Sequence, residues 1–274
     1  GKLQSPLNIL ISGPFDMDKL DFLSRDSYFT GVEYGKVDVA RLLMSIGVVD
    51  GSLALELPSS LYALETFLIS RYEMFKAVYF HRTVRAAWIM LAEAIRVACE
   101  HGGLFDFKDV NDFLVMDDGY VETNLRRMAR DAVGVEDELK PARELYSMLE
   151  RRELFKSVYE AVLHAESGRP LIDKRRKEEL ERTMAERAGI EQWMVVVDTP
   201  MIPSLPYTPT QPDPMDIPVF EEIGGTLVKR KLTEFSKLIE SLRGYVDIVR
   251  IYSHPKFKDK VRSIAESEVE SLLP

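Results

Sequence analysis

In the run MDKLDFLSRD, residues 17–26, a helix would bring Asp18, Phe22 and Asp26 onto one stripe, with Lys19 beside it. A carboxylate binds a hard or borderline metal ion. An ammonium offsets phosphate charge. An aromatic ring packs on a sugar or base, and a second carboxylate accepts hydrogen bonds from hydroxyl groups. These four side chains therefore outline one wall of a metal and phosphate site. Leu20 and Leu23 point the other way, into a core, while Asp21 and Arg25 are spaced to pair with each other. Taken alone, the stretch better fits a solvated acidic face with one ion pair.

A second stretch, SRYEMFKAVYFHRTVRAAW (70–88), belongs to a long helical pattern. With Arg71 as origin, Phe75, Val78 and Arg82 fall within about 40° of it, Tyr79 about 80° to one side and His81 about 80° to the other. Arg71 and Arg82 each present a fork suited to phosphate oxygens. Tyr79 and His81 face nearly opposite ways and serve different surroundings. The plainer reading is an amphipathic helix with arginines on its rim, and a lone histidine is more often packed or solvated than a ligand.

The elements that must position these side chains are mostly helical. Helices are expected over 14–30, closed by Gly31, and over 37–47. A turn and short strand follow at 50–57. The pattern from Ser59 or Ser60 to His101 would be on the order of 60 Å long if continuous, so a bend or break inside it is expected. Further helices fit 109–116, 118–132 and 136–150, with 151–166 continuing the last. After Gly168 come a charged helix (173–189), a strand (192–199) and a segment with proline at 200, 203, 206, 209 and 212. That period suits a polyproline II ligand for a docking domain or an extended loop pinned to its own domain. A hairpin across Gly224–Gly225, a helix, a strand (VDIVRIYS) and a final helix (255–272) complete the chain. The expected class is mainly α: a helical domain over 1–166, then a small α+β unit over 167–274.

Composition narrows the function classes. The chain has 274 residues, 46% hydrophobic and 30% charged, enough for a buried core. Its net charge of −9 argues against broad nucleic-acid or anionic-membrane binding, though not against a small basic pocket. No apolar run is long enough to span a bilayer and no secretory signal is visible. Cys99 is the single cysteine, which excludes an internal disulfide and fits a reducing cytoplasm. The first residue is glycine, consistent with a tag scar, a cleavage product or the start of a fragment.

The two chemical stretches together, DxDKLDFLxRDSYFTGxxYG followed by RYxMFxxVYxHR, resemble the HD-domain phosphohydrolase family, which includes the deoxynucleoside triphosphate triphosphohydrolases. The resemblance covers roughly residues 9 to 165, and PMDIPVFEE with LTEFSKLIESLRG is similar to the C-terminal region of prokaryotic members. It implies an HD-type helical fold. It also implies roles: Asp18 for the later metal-ligating aspartate, Lys19 and Arg71 for triphosphate contacts, and Asp26 for the carboxylate that holds the sugar 3′-hydroxyl. Phe22 takes the place of a sugar-stacking tyrosine, and Tyr79 that of a sugar-side tyrosine. His81 and Arg82 match positions of a regulatory nucleotide site at a subunit interface in allosteric members.

The resemblance departs from the family in one large respect. The family's divalent ion (Mn, Mg, Fe, Ni or Zn, which the sequence does not distinguish) also takes a His and a His-Asp pair. Here His81, His101, His164 and His254 are followed by Arg, Gly, Ala and Pro. One carboxylate cannot hold a catalytic metal alone. The expectation is a half-site, completed by a segment or partner chain that carries the His/His-Asp half and covers an otherwise exposed apolar face. The complete, oligomeric assembly would hydrolyse a phosphoester, most plausibly of a deoxynucleoside triphosphate. The alternative is a non-catalytic nucleotide-binding or regulatory subunit. A third reading is a scaffold that uses the proline-rich segment as bait.

Overall fold

The computed structural model describes residues 10–11, 13, 16–130, 137–165, 172–203, 217–241 and 245–270. Residues 204–214 of the proline-rich segment lie outside the described residues, and so does the choice between docking ligand and pinned loop. The element order is α1 (Met17–Thr30), α2 (Val39–Met44), β1 (Ile46–Val49), β2 (Ser52–Leu57), α3 (Leu61–Met74), a π turn (Phe75–Tyr79), α4 (Arg82–Gly102), α5 (Val110–Leu114), α6 (Asp118–Arg130) and α7 (Lys140–Glu150). It continues with β3 (Lys156–Ala165), α8 (Lys174–Ala188), β4 (Val195–Asp198), β5 (Met201–Pro203), β6 (Pro218–Ile223), β7 (Thr226–Lys231), α9 (Lys237–Ser241), β8 (Tyr245–Ser253) and α10 (Lys258–Glu270). The fold is mainly α with small sheets, as the sequence predicts. Among the described residues no helix is long and apolar enough to cross a membrane.

The chain forms two compact units that interleave in sequence, whereas the sequence predicts a single division between 166 and 167. The first contains residues 1–81, 163–169 and 201–247. The second contains residues 82–162, 170–200 and 248–274. The interleaving has a backbone cause in the first unit. There β2 pairs in parallel with β6, Leu55 opposite Val219, so a strand from late in the chain joins an early hairpin. The sheet order is β1-β2-β6-β7. Its β6–β7 hairpin turns at Gly224 and Gly225, φ 58° and 81°, which is the left-handed pair a two-residue turn requires.

The core of the first unit gathers Leu20 and Leu23 of α1, Leu42 of α2, Leu55 and Leu57 of β2, Leu64, Phe67, Leu68 and Met74 of α3, and Val219 of β6. Burial of the leucine face of α1 against the apolar face of α3 is what fixes the two chemical helices relative to each other. Capping sets where α1 begins and ends. The Asp16 side chain accepts from the Lys19 backbone N–H, and Gly31 closes the helix at φ 73°. The exposed Asp21–Arg25 ion pair forms at its expected spacing.

The second unit packs Ala86, Ile89, Met90 and Ala94 of α4 against Leu145 and Met148 of α7 and against Phe155 and Tyr252. Its sheet has the order β3-β8-β4. The Arg85 fork meets Asp198 at 3.0 and 2.5 Å, and the buried Tyr252 hydroxyl donates to the Arg82 carbonyl at 3.0 Å.

The break expected inside the long helical pattern is present, and two other elements differ from expectation. The long pattern from 59 to 101 breaks at Phe80–His81, after a π turn. Residues 46–47, expected as the end of a helix, belong instead to β1, which pairs with β2 around a left-handed Asp50–Gly51 turn. Residues 156–165, expected as helix, form β3. The helix before it stops because Arg152 takes φ 58°, with Arg152 N–H donating to Leu149 O and Glu153 N–H to Met148 O. That is a Schellman stop built without glycine.

Gly35 shows how closely the loop after α1 lies on the helix. A Cβ there would sit 2.3 Å from the Leu23 carbonyl oxygen and 2.5 Å from Ser27 Cβ. Gly35→Ala is expected to destabilise the protein by about 1–3 kcal/mol, since the nearest obstacle is backbone. Chemical denaturation checks this, and an unchanged midpoint would contradict the close approach.

Candidate functional site

The site begins at the first turn of α1. Asp16 is 3% exposed and Lys19 6%. One carboxylate oxygen of Asp16 accepts from the Lys19 backbone N–H at 2.9 Å, and the other pairs with the Lys19 ammonium. That ammonium also donates to the Gly13 carbonyl at 3.0 Å. Asp18 lies on the exposed side of the same turn. One and two turns on, Phe22 and Asp26 are half-buried.

The second wall comes from α3 and the π turn. Arg71 is buried at 4% exposure. Burial pulls its guanidinium down to about 10, with Asp16 and then Tyr79 acting in the opposite sense. The Tyr79 hydroxyl donates to Asp26 Oδ2 at 2.7 Å across 53 residues of sequence. The Tyr79 ring meets Phe22 edge-on at 6.0 Å and Phe75 at 5.0 Å.

A plain α-helix would put Tyr79 well away from Arg71. The π turn, closed by Phe80 N–H to Phe75 O at 2.8 Å, holds one residue more than an α turn. It sets the following residues back by about 100° on the helix wheel, which returns Tyr79 to within about 20° of Arg71. Nothing in the local sequence marks that turn.

The structure thus brings together Phe22, Asp26 and Tyr79, with Arg71 electrostatically coupled to Asp16 and to Tyr79. His81 and Arg82 are both exposed, His81 at the helix break and Arg82 opening α4. Asp16 falls inside the helix expected over 14–30, and the sequence reading assigns it no part in the site. Its signal was an aspartate three residues before a lysine at a helix start. An open cavity of about 480 Å³, lined by Ser24, Ser27, Tyr28 and Lys36 among others, lies at the other end of α1 and includes none of the predicted site residues.

A metal ion normally needs three or more protein ligands. Among the described residues no three His, Cys, Asp or Glu side chains are clustered to hold one. The described residues therefore do not make a metal site by themselves, and Asp18 would offer one ligand.

The HD associated region family matches residues 37–270. The chain belongs to this family of HD-domain phosphohydrolases. An uncharacterized protein of Methanocaldococcus jannaschii is 38% identical over 112 residues, which is 40% of this chain and 24% of that protein. The deoxynucleoside triphosphate triphosphohydrolase SAMHD1 homolog of Dictyostelium discoideum is 30% identical over 155 residues, 56% of this chain and 28% of that protein. Among solved structures, a hypothetical protein from Aquifex aeolicus superimposes with a TM-score of 0.66 at 28% identity, covering 94% of this chain and 59% of that one. A phosphohydrolase from Bacteroides thetaiotaomicron shares the fold, with a TM-score of 0.63 at 24% identity over 90% of this chain and 63% of that one. The chain thus spans about a quarter of the length of these two curated relatives.

The Tyr79 phenol is held well above its ordinary range, first by burial and then by its bond to Asp26 and that group's charge. The folded protein therefore keeps a proton that the unfolded chain loses near pH 10. The associated stability is complete below pH 10 and is lost as pH rises further. Ultraviolet titration of the protein's 11 tyrosines is expected to show several late phenols, one of which ionises earlier in Asp26→Asn. Superimposable curves for the two proteins would contradict the Tyr79–Asp26 bond.

Proposed function

We propose that Lys19, Phe22, Asp26, Arg71 and Tyr79 form the phosphate and sugar wall of a phosphohydrolase acting on nucleoside triphosphates, deoxynucleoside triphosphates foremost. The observation that carries this reading is the cluster in which Tyr79 bonds Asp26 beside the Phe22 ring, with buried Arg71 coupled to Tyr79. Arg71 and Lys19 would offset the negative charge on the phosphate oxygens, most usefully where it grows during transfer. Phe22 would pack on the sugar. Asp26 has a second oxygen with which to accept from a sugar hydroxyl while Tyr79 holds the first. Membership of an HD-domain phosphohydrolase family and similarity to a triphosphohydrolase homolog support the reaction class.

On this reading Asp18 is one ligand of a divalent ion. The His and His-Asp ligands come from sequence or a chain outside these 274 residues, since none of the four histidines precedes an aspartate. Tyr28, Phe29, Met44 and Tyr62 are each more than three-quarters exposed at 81, 77, 87 and 79%, and offer apolar surface for such a segment. The assembly is proposed to be oligomeric and cytoplasmic. The second reading, a non-catalytic nucleotide-binding or regulatory subunit, is favoured by the lack of a three-ligand cluster among the described residues.

The test is turnover of a deoxynucleoside triphosphate panel by the intact protein with Mn²⁺ or Mg²⁺. Release of phosphate or triphosphate is expected, and Arg71→Ala is expected to lower kcat/KM by about a hundredfold or more. No turnover across the panel with metal shown bound would overturn the enzymatic reading. Nucleotide binding without metal, with the biological effect intact in Asp18→Ala, would establish the second.

A further inference from the structure

Lys19 is a nearly buried ammonium, and in this structure its charge is already matched. Its nitrogen is held by Asp16 and the Gly13 carbonyl, and its backbone N–H is held by the other oxygen of Asp16. Asp16 is also the carboxylate that most strongly favours the charged form of Arg71. A buried carboxylate thus sits among the two cations assigned above to phosphate. A buried cation left without a counter-charge is costly, so something must neutralise the pair when no anion is bound.

We infer that Asp16 is the internal counter-ion of the phosphate wall, a positioning residue that Lys19 leaves when a polyphosphate takes its place. The inference rests on the assignment of Lys19 to phosphate in the proposed function. It adds a residue and a sign: the Asp16 carboxylate opposes the incoming anion and keeps its binding reversible. In the empty site it offsets the buried positive charge of Lys19 and favours the charged form of Arg71, and in the filled site it stands beside phosphate as a like charge. The capping role is separable from the charge. Asparagine and serine keep an acceptor oxygen for the Lys19 N–H, yet neither carries a carboxylate.

Binding of inorganic tripolyphosphate to the intact protein, measured by titration calorimetry, tests this. Asp16→Asn is expected to bind about tenfold more tightly than the parent and Lys19→Ala about tenfold more weakly. Asp16→Ser should follow Asp16→Asn, which guards against a folding defect peculiar to one variant. A role confined to capping would leave affinity unchanged or reduce it; it would not raise it. If Lys19→Ala weakens binding but neither Asp16 variant tightens it, the counter-ion role is overturned and the phosphate wall stands. If Lys19→Ala has no effect, or neither the parent nor the Asp16 variants bind tripolyphosphate, the phosphate wall itself is overturned, and this inference with it.

Discussion

The hydrogen bond from Tyr79 to Asp26 ties together two helices that begin more than forty residues apart, and the site follows from their being fixed side by side. The bond does not bring them there. Leu20 and Leu23 on one helix and Leu64, Phe67 and Leu68 on the other share one core, and that burial sets the geometry. With the leucine face committed inward, the period of α1 leaves Phe22 and Asp26 half-buried at the rim and Asp18 in the open. A polar bond at the edge of an apolar contact then selects one register between the helices.

Charge imposes the second constraint. Arg71 and Lys19 are both nearly buried, and only the Asp16 carboxylate beside them is comparably removed from water at that turn. Burial lowers Arg71 towards 10, so the guanidinium remains charged at neutral pH but at a cost that anionic neighbours relieve. On the proposed reading this wall receives an anion. It holds positive charge away from solvent, where the attraction for a ligand is less screened than on the surface.

Much of this was legible in the residues because it depends on local chemistry. Asp16 and Gly31 bracket α1, Asp173 and Gly189 bracket α8, and Gly224–Gly225 turns a hairpin, each for reasons internal to a few residues. The stripe of Asp18, Phe22 and Asp26 and the opposed leucines follow from helical period alone. What the sequence hid depends on longer contacts or on uncommon backbone states. The π turn that re-aims Tyr79 has no composition signal, so a regular wheel placed that ring about 80° from Arg71. Arg152 in a left-handed conformation ends α7 where no glycine announces it, so the helical pattern runs on into what is β3. The parallel pairing of β2 with β6 joins segments more than 150 residues apart, which no local pattern encodes. The burial of Lys19 against Asp16 was hidden for the same reason: an i,i+3 pair of opposite charges usually signals exposed surface.

The central spatial claim is that the wall formed by α1, α3 and the π turn receives the phosphates and sugar of a nucleotide. A crystal structure of the intact protein with a non-hydrolysable deoxynucleoside triphosphate tests it most directly. The predicted result places phosphate oxygens within hydrogen-bond reach of Arg71 and Lys19, with Lys19 drawn off Asp16, and the sugar between Phe22, Asp26 and Tyr79. A nucleotide bound elsewhere, with the Asp16–Lys19 pair and the Tyr79–Asp26 bond undisturbed and no contact to Arg71, would contradict it.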